Sequence, residues 1–153
     1  MKAETYRDVI EWTQHLHGEL ATRLETGAVD ARTSERLRLL LEYLAEHERR
    51  MQEMVQRFEE KADIKILDSW LYDHFTDNPR IRALDAGKSF AGMSYEEISA
   101  MVFDMHNDAL ELYRYLAGRA ETADGRELMQ ELLAMEEHET LRLAEQAQRA
   151  QEM

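Results

Sequence analysis

Apolar positions recur with helical spacing in four long stretches of this chain. From about Glu4 to Glu25, the residues Tyr6, Ile10, Thr13, His17, Leu20 and Leu24 share one face, which predicts a first amphipathic helix. The segment TGAVDARTS reads as a turn, with Thr33 or Ser34 as N-cap of a second helix running to about Lys61. So short a link folds the two helices into an antiparallel hairpin. Ser94 opens a capping box with Glu97 and starts a third helix that reaches about Ala120. Its inward face reads Ile98, Val102, Met105 with His106, Ala109, Leu112 with Tyr113, and Leu116. The tail GRAETADG holds a turn, and a fourth helix follows from about Gly125 with Leu128, Leu132, Met135, Glu136, Glu139, Leu143 and Ala147 on one face.

Between the second and third helices the period breaks. IKILDSWLYDHF is apolar enough for a short helix, with Ile64, Leu67, Leu71 and Phe75 against the bundle. TDNPRIRALDAGKSFAGM then carries the chain's single Pro and reads as loop. About thirty residues is far more than a hairpin needs, and it suffices to cross the length of a bundle. The expected architecture is all-α: an antiparallel four-helix bundle over residues 1–153, one domain, with a long crossover between helices two and three. A short extra helix is expected in the crossover, and strands are not.

Two of the apolar stripes contain acids where a helix should be dry. In the second helix Leu37, Leu41, Leu44, Glu48, Met51, Val55 and Phe58 align, which puts a carboxylate in the middle of the stripe. A rival stripe of Leu40, Leu44, His47, Met51, Met54 and Phe58 makes His47 compete with Glu48 for the inward direction. In the fourth helix Glu136 and Glu139 sit together in the stripe. An unpaired buried carboxylate costs several kcal/mol or takes up a proton, so these acids need a cation, an Arg or His, or a metal. His17 and His106 are the inward histidines, 31 residues before Glu48 and 33 before Glu139. Both downstream acids stand in the string Glu-His-Glu, Glu46 to Glu48 and Glu137 to Glu139, which suggests a repeated helical hairpin.

Four long helices, a long crossover after the second and an acid in each hairpin resemble the ferritin-like superfamily, in its rubrerythrin-type branch. The resemblance covers nearly the whole chain in architecture. It implies two irons held by Glu from helices one and three and by Glu-x-x-His from helices two and four. Glu48 and Glu139 match the acids of the paired motifs, whereas Met51 and Arg142 stand where their histidines would be. His17 and His106 occupy the inward positions of helices one and three where the family has Glu, and Glu19 lies off the stripe. The expected metal ligands are therefore His17, Glu48, His106, Glu136 and Glu139, with His47 as a further ligand or as a hydrogen-bond donor to one. Mixed imidazole and carboxylate ligation suits iron, with manganese or zinc as alternatives, and the absence of Cys disfavours copper(I). Neither haem nor nucleotide is expected.

The metal-free alternative gives each residue a plainer role. His17 and His106 would be core histidines bonded to carboxylates, Arg142 would neutralise Glu139, and the polar centre would be an ion-pair network in a structural or interaction module. The methionines read as core filler, and His15, His74 and His138 as surface or boundary positions. A third reading makes the chain an iron-handling partner of a larger assembly. The formal net charge of −13 disfavours nucleic acid and anionic membrane surfaces as partners. No apolar run spans a membrane and no secretory signal is visible, so cytoplasm is the default compartment. Trp12, Trp70, Leu71, Tyr72 and Phe103 exceed what a four-helix core covers, and a homodimer is expected. Whether the chain is an enzyme, and on what substrate, the sequence leaves open.

Overall fold

The computed structural model describes residues 3–75 and 89–152. Four long helices make the bundle: α1 (Tyr6–Val29), α2 (Glu35–Lys61), α4 (Tyr95–Arg119) and α5 (Ala123–Glu152), with the one-turn helix α3 (Ile64–Leu67) following α2. Their starts are written locally. Thr5 caps α1 through a capping box with Asp8, Ser34 accepts from Leu37 N–H, and Ser94 forms the capping box with Glu97. Between α1 and α2, Asp30 binds Arg32 and the Thr33 hydroxyl closes on the Gly27 carbonyl at 2.7 Å, so the turn is tied to the helix it leaves.

α1 packs mainly against α2, and α4 against α5, so the bundle consists of two hairpins. The long connection after α2 joins them, as the unequal links predict. Residues 76–88 of that connection lie outside the described residues, and with them most of the expected loop. Core side chains such as Ile10, Leu20, Leu24, Leu41, Leu44, Ile98, Met129 and Leu132 are at most 1% exposed. Each such side chain contributes about 1.5–3 kcal/mol through burial. The competition in α2 has no single winner: Leu40 and Leu41, and likewise His47 and Glu48, are buried side by side.

The crossover corrects two expectations. The short helix ends at Leu67, and Trp70–Phe75 is a strand, β2, antiparallel to β1 (Ala3–Thr5) with Ala3 opposite Phe75 and Thr5 opposite Trp70. Aromatic side chains favour extended backbone, and the N-terminal residues offer the hydrogen-bond partners that a second turn of helix would otherwise supply. Tyr6 N–H donates to the Ser69 carbonyl, and Arg7 grips Asp68 and Glu59, fastening the start of α1 to this segment. The second correction is Trp12, which is 5% exposed. β1, α3 and a 3₁₀ turn (Phe90–Gly92) all pack on α1, so α1 buries Val9, Trp12 and Leu16 in addition to its predicted stripe. Trp70, by contrast, is 70% exposed. No helix among the described residues is long and apolar enough to cross a membrane.

Candidate metal centre

Every long helix sends a polar side chain into the middle of the bundle. His17 comes from α1, Glu48 from α2, His106 from α4 and Glu136 from α5, and each is at most 2% exposed. Glu48 holds the centre together: its Oε2 lies 2.6 Å from His17 Nδ1 and its Oε1 lies 2.5 Å from His106 Nε2. The other nitrogen of His17, Nε2, meets Glu136 Oε1 at 2.8 Å and Oε2 at 3.1 Å. His106 Nδ1 meets Thr140 Oγ1 at 3.1 Å, and that oxygen lies 2.8 Å from the Glu136 carbonyl. The two imidazoles are edge to face, with centroids 5.6 Å apart. Nearby, Tyr113 bonds Thr13 at 2.7 Å, and the Thr13 hydroxyl donates to the Val9 carbonyl.

Charge follows from this geometry. Burial alone favours a neutral His17, but the carboxylates of Glu136 and Glu48 outweigh it and raise its pKa to about 10. Burial also opposes ionisation of Glu48, yet His106 and His17 hold it well below the ordinary carboxylate range. Burial raises the pKa of Tyr113, with the charge of Glu136 adding to the effect. His47 behaves differently. Burial, its largest cause, lowers it to about 4, against the pull of Glu48 and Glu139. Its ring stacks on His106 with centroids 6.4 Å apart, and its Nε2 finds no hydrogen-bond partner among the described residues.

Of the residues singled out from the sequence, His17, Glu48, His106 and Glu136 come together. Glu139 lies at the margin, its side chain 12% exposed and 3.3 Å from Arg142. His15 and His138 are exposed, and the side chain of His74 lies outside the described residues. Sequence reasoning did not find Thr140. It sits one turn after Glu136, and only that spacing could have drawn attention to it.

No family model matches the sequence, nor does any curated protein. A solved structure does match: a protein from Thermotoga maritima, provisionally described as a ferritin-like diiron-carboxylate protein. The match has a TM-score of 0.54 over 94% of this chain and 95% of that one. The fold is ferritin-like. At 16% identity the likeness speaks for the fold alone, and the chemistry of the centre rests on this chain's own side chains.

Those side chains suit a divalent ion. One ligand atom each from His17, Glu48 and His106 can be chosen so that all lie within 4.8 Å of one another. An ion held at ~2.0–2.2 Å keeps opposite donors within ~4.4 Å, so closing the group takes small side-chain adjustments. Two imidazoles and a carboxylate are a borderline-hard set, appropriate to iron, manganese or zinc. The unpartnered Nε2 of His47 adds a buried nitrogen beside this group.

Proposed function

We propose that this chain is a ferritin-like metalloprotein whose ion, iron first among the candidates, is held by His17, Glu48 and His106, with Glu136 bonded to the far nitrogen of His17. The observation that carries the reading is the convergence of these four buried polar groups, one from each long helix, in an otherwise apolar core. A purely structural bundle gains nothing from desolvating two carboxylates and two histidines that apolar side chains could replace at no loss of stability. The description of the Thermotoga protein as diiron-carboxylate points the same way, and a second ion beside Glu48, reached by His47 and Glu139, is the form that likeness suggests. Iron in such a set supplies one-electron chemistry toward dioxygen or peroxide when bound. The chain's part is to exclude water and to place the two imidazoles on opposite sides of one carboxylate. An ion at His17 Nδ1 would take the place of the proton that otherwise joins that nitrogen to Glu48, while Nε2–H stays bonded to Glu136, so uptake would release a proton.

The metal-free reading has its own support, since both nitrogens of His17 and both oxygens of Glu48 are already paired. Elemental analysis of protein purified without chelator and without an affinity-column metal separates the two. The proposal expects stoichiometric iron, manganese or zinc, and a melting temperature that falls on chelation, because the ion binds only the folded arrangement. Protein that arrives empty, takes up none of these ions and melts identically with chelator is a metal-free scaffold.

A further inference from the structure

His106 presents one nitrogen to the centre and the other to a hydroxyl, and the hydroxyl has a choice. Thr140 Oγ1 lies within hydrogen-bond distance of both His106 Nδ1 and the Glu136 carbonyl. A hydroxyl has one proton to donate and two lone pairs to accept with, whereas a neutral imidazole carries its proton on one nitrogen only. Two arrangements of a neutral ring are therefore possible, and only the second keeps the bond from the hydroxyl to the Glu136 carbonyl. In the first, Nε2–H donates to Glu48 Oε1 and the Thr140 hydroxyl donates to the bare Nδ1. In the second, Nδ1–H donates to Thr140 Oγ1, the hydroxyl turns its proton to the Glu136 carbonyl, and Nε2 faces the centre with a free lone pair. The charge of the ring is the same in both.

We propose that Thr140 is a positioning residue: its hydroxyl turns from donor to acceptor and so lets neutral His106 present Nε2 to a metal ion. This rests on the metal-binding reading above. It explains why a hydroxyl residue occupies a buried position against an imidazole. Valine fills nearly the same space but leaves Nδ1–H without an acceptor in the ligating form. A partner that orients a ligating histidine in this way is typically worth 10–100-fold in metal affinity.

Zinc binding by calorimetry on the full chain, for wild type, Thr140→Val and Thr140→Ser, tests this, together with ¹⁵N spectra of the histidine rings in the zinc form. The expected result is an affinity loss of about 10–100-fold for Thr140→Val and recovery of most of it in Thr140→Ser. Wild type and Thr140→Ser should show His106 protonated at Nδ1 and bare at Nε2. Equal affinity in wild type and Thr140→Val overturns the role of Thr140 while leaving the metal reading intact. So does a zinc form of wild type with the proton on Nε2, which decides the matter even should Thr140→Val not fold. Wild type that takes no zinc, iron or manganese overturns the metal reading, and this inference falls with it.

Discussion

Replacing Glu48 by Gln keeps the shape of the side chain and removes its charge, at the one residue that touches both central histidines. In the chelated protein the carboxylate accepts two charge-assisted hydrogen bonds, from His17 at 2.6 Å and His106 at 2.5 Å, with no exposure to water. Such bonds are worth about 1.5–3 kcal/mol each, and breaking a buried pair by removing one partner costs about 3–5 kcal/mol. Gln recovers part of this through its carbonyl, but its NH₂ must then face the other imidazole. The expected loss is about 3 kcal/mol or more, which lowers the melting temperature of a chain of this size by roughly 6 °C or more. Thermal melts of wild type and Glu48→Gln, each with and without chelator, read two quantities. The chelated pair measures the loss of the carboxylate. The difference between loaded and chelated wild type measures the ion, about 2.7 kcal/mol when free metal stands at 100 times its Kd, and Glu48→Gln should lack that increment. A chelated Glu48→Gln protein as stable as chelated wild type would refute the argument that Glu48 anchors both histidines.

The remaining predictions concern the other groups. Because the folded pKa of His17 is raised from 6.5 to about 10, the chelated protein is fully stabilised by this group below about pH 6.5. It loses that stability as pH rises toward about 10, while the metal increment grows over the same range because ligation requires the proton to leave. Urea titrations at several pH values, with and without chelator, should show the two trends with opposite sign. His47→Leu removes a buried nitrogen that has no hydrogen-bond partner among the described residues; in the chelated protein it should leave stability unchanged or raise it by up to about 1–3 kcal/mol. If His47 ligates a second ion, the same variant should lower the metal-to-protein ratio measured by elemental analysis. Trp70, largely exposed at the start of β2, is expected to lie at a homodimer contact. Sedimentation should show dimers at tens of micromolar, and Trp70→Ser should shift them toward monomer.

The four helices, the N-cap at Ser94, the choice of Thr33 or Ser34 for the second helix, and the hairpin pairing were legible from period and spacing, because each rests on contacts within a few residues or across a short turn. So was the anomaly itself, since an acid at Glu48 or Glu136 interrupts its stripe whatever the helix packs against. Direction within the stripe was not legible. His47 and Glu48 are adjacent and about 100° apart on the helix, so period alone could not tell that both are buried, and the same ambiguity left Glu136 and Glu139 as equals. Packing separated that pair: Glu136 meets His17 across the bundle, whereas Glu139 turns to Arg142 at the rim. The strand at Trp70–Phe75 and the burial of Trp12 also needed the tertiary structure, because both depend on the N-terminal residues and the crossover meeting α1. Above all, the sequence could show that Glu48 needed a partner but not that it has two. His17 and His106 are 31 and 58 residues away from it, and only the meeting of the two hairpins brings both rings to one carboxylate.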